Sequence, residues 1–150
     1  ASNQMLAVIR DREDLTGSEK LKTIFRESIC RPVQNEIFTL APGFRNNPRL
    51  LFSLLQDTIK NAAPNYILPI IRQGIADGSI ETEYPEQLAE LILLAANVWL
   101  NPMIFDSTVE ESCRKFMVFH QMLQGFGLDI MDQEMLDRLK ELTEIYQKNK

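Results

Sequence analysis

His120 is the only histidine of the 150-residue sequence, and Cys30 and Cys113 are its only cysteines. A tetrahedral metal site needs several such ligands at short spacing, and these three do not supply one. His120 falls on the apolar stripe of its helix, where protonation near neutral pH would switch an interface; the plainer reading is a hydrogen-bonded core or interface histidine. The carboxylate pairs Glu81/Glu83, Glu110/Glu111 and Asp132/Glu134 have the right chemistry for acid–base work. They stand at helix starts, however, where they favour the macrodipole and stay solvated. There is no phosphate loop, nucleophile elbow, Cys-x-x-Cys or paired zinc histidines. The expectation is therefore no catalytic residue, no metal, no cofactor and no enzyme.

What the sequence offers instead is apolar. Phe25, Phe38, Phe44, Phe52, Tyr66, Trp99 and Phe105 have the bulk to line a pocket for a small apolar molecule, with Gln56, Asn97 or Arg26 to orient it. Any one of these aromatics, taken singly, reads as core. The set rises above that reading because Pro64, Pro69 and Gly74 keep the middle of the chain from packing regularly, which leaves room for a cavity. The ligand-binding residues expected are Phe25, Phe38, Phe52, Gln56, Tyr66, Trp99 and Phe105.

Helices must position these residues. Met5, Leu6, Val8 and Ile9 recur at helical spacing, and Thr16-Gly17-Ser18-Glu19 is a capping box opening a second helix with Leu21, Ile24, Phe25, Ser28 and Ile29 on one face. Arg31-Pro32 ends it, because the residue before proline is pushed out of the helical region. A short helix is expected over Val33 to Leu40, then a loop between Ala41-Pro42-Gly43 and Asn46-Asn47-Pro48. Leu50, Leu51, Leu54, Leu55 and Ile59 carry the next helix, which Pro64 should break or kink. Tyr66, Ile67, Ile70, Ile71 and Ile75 continue to Asp77-Gly78, with Gly78 as the residue just past the helix end. Pro85 opens a helix apolar nearly all round, Asn101-Pro102 stops it, and Ser107 and Thr108 offer overlapping capping boxes for a helix running to Gly125 or Gly127. A final helix from about Asp132 carries Met135, Leu139, Leu142 and Tyr146 as a narrow seam. Strand-like alternation is absent, so the fold class is all-α, a bundle of about six to seven helices. Ala1-Ser2-Asn3 reads as a cloning scar, so residues 1–4 are given no structure and 5–150 form a single domain.

Composition agrees. A chain of this length buries roughly 70% of the surface its unfolded form exposes, enough for a core without disulfides, and two distant cysteines suit a reducing cytoplasm. No charged leader and apolar run opens the sequence, and the most apolar stretch, Leu88 to Leu100, falls short of the ~20 residues a membrane span needs. Net charge is −5, against nucleic-acid binding by this piece itself. The charge is uneven: residues 1–75 carry ten Lys/Arg against seven Asp/Glu, residues 76–150 six against fourteen.

The stretch IIRQGIADGSIETEYPEQLAELILLAANVW, with Gly74, Gly78 and Pro85 between two helices, resembles the regulatory domain of tetracycline-repressor-type (TetR family) transcription regulators. LTGSEKLKTIF resembles that family's first regulatory-domain helix, and the resemblance runs over residues 5 to 148. Tyr84 departs from it, standing where such proteins often have an Asp helix cap. The family's N-terminal helix-turn-helix domain is not in this sequence. The resemblance implies the effector-binding and dimerisation half of a bacterial regulator, which touches DNA only through that other domain; the alternative is a helical adaptor that only dimerises. Helices 85–101 and 108–126 sit where the family has its dimerising pair. The first has too few polar positions to face water, so a two-fold four-helix interface is expected from Leu88, Leu91, Ile92, Ala95, Ala96, Trp99, Phe116, Phe119, His120 and Leu123.

Overall fold

Helix starts follow the capping residues closely. In a computed structural model that describes residues 3–31 and 46–149, Thr16 Oγ1 accepts from Glu19 N (3.2 Å), while the Glu19 carboxylate accepts from Thr16 N (3.1 Å). Thr108 and Glu111 repeat the arrangement at 3.1 Å both ways. Asn47 caps the helix that Pro48 opens, and Asp132 Oδ1 accepts from Met135 N (3.0 Å) at the start of the last one. Each box satisfies two amides that a helix end leaves unpaired. No side chain caps the helix at Pro85, where Tyr84 has no acceptor within reach.

The helices are α1 (Asn3–Arg10), α2 (Gly17–Cys30), α3 (Pro48–Asp57), α4 (Leu68–Asp77), α5 (Pro85–Leu94), α6 (Val109–Gln124) and α7 (Gln133–Asn149). π-helical turns join α3 to α4 over Thr58–Ile67 and extend α5 over Ala95–Trp99, giving six continuous runs. No strand occurs among the described residues, and no helix among them is long and apolar enough to cross a membrane. Helix α1 already includes Asn3 and Gln4, which the sequence reading leaves without structure. The expected helix Val33–Leu40, with Phe38 and Phe44, lies outside the described residues.

The helix runs on through Pro64, which was expected to break or kink it. The turn around it widens to i→i+5 bonding, seen where Leu68 N donates to Ala63 O. Proline's ring would strike the carbonyl four residues back in a regular α-helix, and the wider turn relieves that clash.

Helix α2 lies against α1, α4 and α7. Its N-terminus crosses α4 at two glycines: a Cβ on Gly17 would sit 2.5 Å from Gly74 Cα and 2.6 Å from Ile70 O. Gly78 ends α4 in the left-handed region (φ 83°), so Ser79 N and Ile80 N turn back onto Gly74 O at 2.8 and 3.0 Å. The two glycines of the 74–78 motif thus do different things, one allowing close helix approach and the other the reversal. The side chains of that reversal then cap α2, because Gly17 N donates to Asp77 Oδ2 (2.9 Å) and Ser18 N to Ser79 Oγ (3.1 Å). Hydrogen bonds from Ser79 first, and from Gly17, hold the Asp77 carboxyl below the usual carboxylate range. A depressed folded-state value means a contribution present above the unfolded value of about 4 and lost as pH falls through the folded one. Asp77→Ala is accordingly expected to cost about 1 kcal/mol at neutral pH. In urea melts the gap from wild type should close as pH drops below about 4, and a gap that does not change with pH would assign the cost to packing instead.

At the other end, Arg138 of α7 donates to Ile29 O and Arg31 O, both at 3.0 Å, closing the C-terminus of α2. Helices α6 and α7 are antiparallel, tied by the buried Thr143 Oγ1–Ser112 Oγ bond (3.3 Å). The expected seam of α7, Met135, Leu139, Leu142 and Tyr146, is buried throughout.

Candidate functional site

Beneath α2 the core is not filled. A cavity of about 320 Å³ opens among α1, α2, the α3–α4 run, α5 with its π turn, α6 and α7. Its wall is mainly apolar: Leu6, Ile24, Phe25, Leu93, Phe116 and Phe119 line it, with Met131, Met135 and Leu139 from the chain entering and following α7. Phe25 and Phe119 meet edge to face, ring centroids 6.0 Å apart, so one rigid aromatic corner comes from α2 and α6 together. Both π-helical segments reach this space, the first through Thr58 and Ala62 and the second through Ala96 and Asn97. Such widened turns recur at functional sites because they displace side chains from the regular helical register.

Polar groups on the wall are few. Thr58 Oγ1 is spent on Leu54 O (2.9 Å), and Asn101 holds Asn97 O and Met103 N. The Asn97 carboxamide has no hydrogen-bond partner among the described residues. Asp57 is the only ionisable group among the described lining residues, and one of its oxygens accepts from Asn61 Nδ2 (3.0 Å).

Of the ligand residues expected from sequence, Phe25 lines the cavity and Phe38 lies outside the described residues. The others do not gather there. Phe52 stands 61% exposed on α3, whose residues are all at least partly exposed. Tyr66 packs on the core beneath the Arg10 guanidinium (5.3 Å to the ring centroid). Trp99 and Phe105 flank Lys115, whose Nζ is 5.6 Å from each ring centroid and donates to Trp99 O (3.1 Å), so they form an external cation–π cluster. Gln56 is not among the described lining residues. Of the two other orienting groups considered, Asn97 is on the wall, whereas Arg26 is committed to Asp132 (2.5 Å) and Glu134 (3.0 Å). The residues that do line the space are mostly aliphatic side chains at ordinary core spacing. In the sequence the region was marked by Pro64, Pro69 and Gly74, and on the wall itself by Phe25 and Asn97 alone.

The expected dimer set divides as well. Leu88, Ile92, Ala95, Phe116, Phe119 and Leu123 are buried in this chain's own core, and Ala96 lines the cavity. Leu91 and Trp99 face outward at 45% and 38% exposure. Met117 and Val118, which the sequence reading passed over, do so as well. Two contacts set α5 and α6 antiparallel, Glu81 N to Phe126 O (3.3 Å) at one end and Lys115 Nζ to Trp99 O at the other. Leu91, Trp99, Met117 and Val118 are thus the exposed apolar side chains of α5, its π turn and α6. His120 is half-buried, and its Nδ1 is enclosed with no hydrogen-bond partner among the described residues.

No group of three His, Cys, Asp or Glu among the described residues is placed to hold a metal ion. Burial, reinforced by the Glu134 carboxylate, pushes the Cys30 thiol up, so it stays protonated and a poor nucleophile. The geometry defines a helical domain with a partly open apolar cavity and exposed apolar side chains on α5 and α6. In comparisons with family models, with curated proteins and with solved structures, the chain matches none.

Proposed function

We propose that this chain is the effector-sensing and dimerisation domain of a TetR-type transcriptional regulator. In this reading a small apolar ligand bound in the cytoplasm alters DNA binding by an N-terminal helix-turn-helix domain outside these residues. The observation that carries the reading is the cavity. Protein interiors are ordinarily packed as densely as organic crystals, and a void of this size forfeits contacts that a merely dimerising adaptor has no reason to give up. Its walls come from helices at both ends of the chain, so an occupant with different affinity for two arrangements of those helices would shift their balance. Pairing with a second copy is supported by the exposed apolar side chains Leu91 on α5 and Met117 and Val118 on α6, the helices that the family resemblance assigns to dimerisation.

Native mass spectrometry of the purified chain is expected to show dimers, and a small molecule retained on them. An apolar ligand at about a hundred times its dissociation constant adds ~2.7 kcal/mol, which in a domain of this size raises Tm by roughly 5 to 11 °C. No shift across a broad apolar library would favour the adaptor. A chain that stays monomeric in sedimentation velocity at about 50 µM, where an interface worth ~8 kcal/mol is mostly paired, would remove the pairing.

A further inference from the structure

The polar groups of the cavity wall narrow the chemistry of what it can hold. Resting on the ligand-binding reading above, we propose that the site takes a neutral amphiphile of about a dozen non-hydrogen atoms, oriented by Asn97, and rejects carboxylates.

Size comes first. A dry cavity of about 150 Å³ accommodates benzene, so roughly twice that volume matches twice the atoms; the 320 Å³ here fits a medium-length chain or a two-ring molecule. Charge comes second. An ionised acid entering this space would leave water and meet no counter-ion among the described lining residues, where Asp57, exposed to solvent, is the only ionisable group and carries the same sign. A neutral head group meets neither penalty. Asn97 supplies its partner: the carboxamide sits on the π turn at the wall, offers two N–H donors and one acceptor, and spends none of them within the described residues. A hydroxyl or amide on the ligand, which both donates and accepts, satisfies it fully, whereas an alkane leaves it unpaired.

The test titrates the full chain with 1-decanol and with decanoate at about pH 7.5, where the acid is ionised, following the melting temperature and isothermal heat. Decanol is expected to bind at least about tenfold more tightly. Asp57→Asn keeps the acceptor for Asn61 and, by removing the like charge alone, should narrow the gap between the two probes without closing it, with decanol little changed. Asn97→Leu should weaken decanol by about tenfold while the unliganded melting temperature holds within a few degrees. Decanoate binding as tightly as decanol to the wild-type chain overturns the proposal and leaves the ligand-binding reading standing. Failure of both probes to bind overturns the proposal, and the ligand-binding reading falls with it only when the broad apolar library gives no shift either.

Discussion

Gly17→Ala is expected to destabilise the chain by about 3 kcal/mol, at the upper end of what one added carbon costs in a packed interior. Two effects oppose each other there. Alanine stiffens the unfolded chain and suits the first turn of a helix, gains worth about 0.4 to 1 kcal/mol. Against them, the new Cβ would lie 2.5 Å from both Gly74 Cα and Gly74 N and 2.6 Å from Ile70 O. All three are backbone atoms, so no side chain can swing aside, and α2 must lift from α4. Lifting would also stretch the bonds from Gly17 N to Asp77 and Ser18 N to Ser79. Gly74→Ala should destabilise as well, because its Cβ would run into Cδ1, Cγ1 and the branch carbon of the buried Ile80. Urea denaturation measures both, and a Gly17→Ala midpoint equal to wild type would show that the helices separate without cost.

Phe119→Ala is expected to cost about 3 to 5 kcal/mol. The ring is 1% exposed, forms the corner with Phe25, and borders space that is already open. Neighbours that have failed to close one cavity will not collapse into a larger one, so the cost should fall high in that range. Phe119→Glu would bury a carboxylate with no partner and unfold the chain outright. Val118 is adjacent in sequence yet 55% exposed, and there the outcome reverses. Val118→Glu should change the stability of an isolated chain by no more than about 0.5 kcal/mol and, if copies pair through α6 as proposed, convert that dimer to monomer by placing a charge in the contact. Circular dichroism with sedimentation velocity separates the two: Phe119→Glu should lose helix, and Val118→Glu should keep helix and lose mass. A Val118→Glu chain still dimeric at about 50 µM would move the contact away from this face of α6.

The contrast between neighbouring residues shows where a sequence stops informing. Helix starts were legible because capping is local: Thr16 with Glu19 and Thr108 with Glu111 need only a spacing of three, and both boxes form. Gly78 was legible for the same reason, since a left-handed residue after a helix is a property of the chain within a few residues. The period of the apolar residues likewise gave an all-helical chain, and the seam of α7 is buried as its spacing implied. On α5, where nearly every position is apolar, no period remained to say which side faces inward. Leu88 and Ile92 turned to this chain's own core while Leu91 turned to solvent, and only packing decided between them. Lys20 makes the same point from the polar side. It reads as a surface residue, yet it is 3% exposed, its ammonium donating to Arg10 O (2.6 Å) and Gln73 Oε1 (2.5 Å). Partners ten and fifty-three residues away leave no local mark. The cavity is the extreme case, being a volume bounded by side chains from six helical runs, so its existence, size and polarity belong to the tertiary arrangement alone. Aromatic residues were the natural sequence choice to line it, but large rings also serve well as lids over exposed lysine stems, where Trp99 and Phe105 stand. Aliphatic side chains took most of the wall, and of the aromatics there, Phe25, Phe116 and Phe119, only Phe25 was in the expected set.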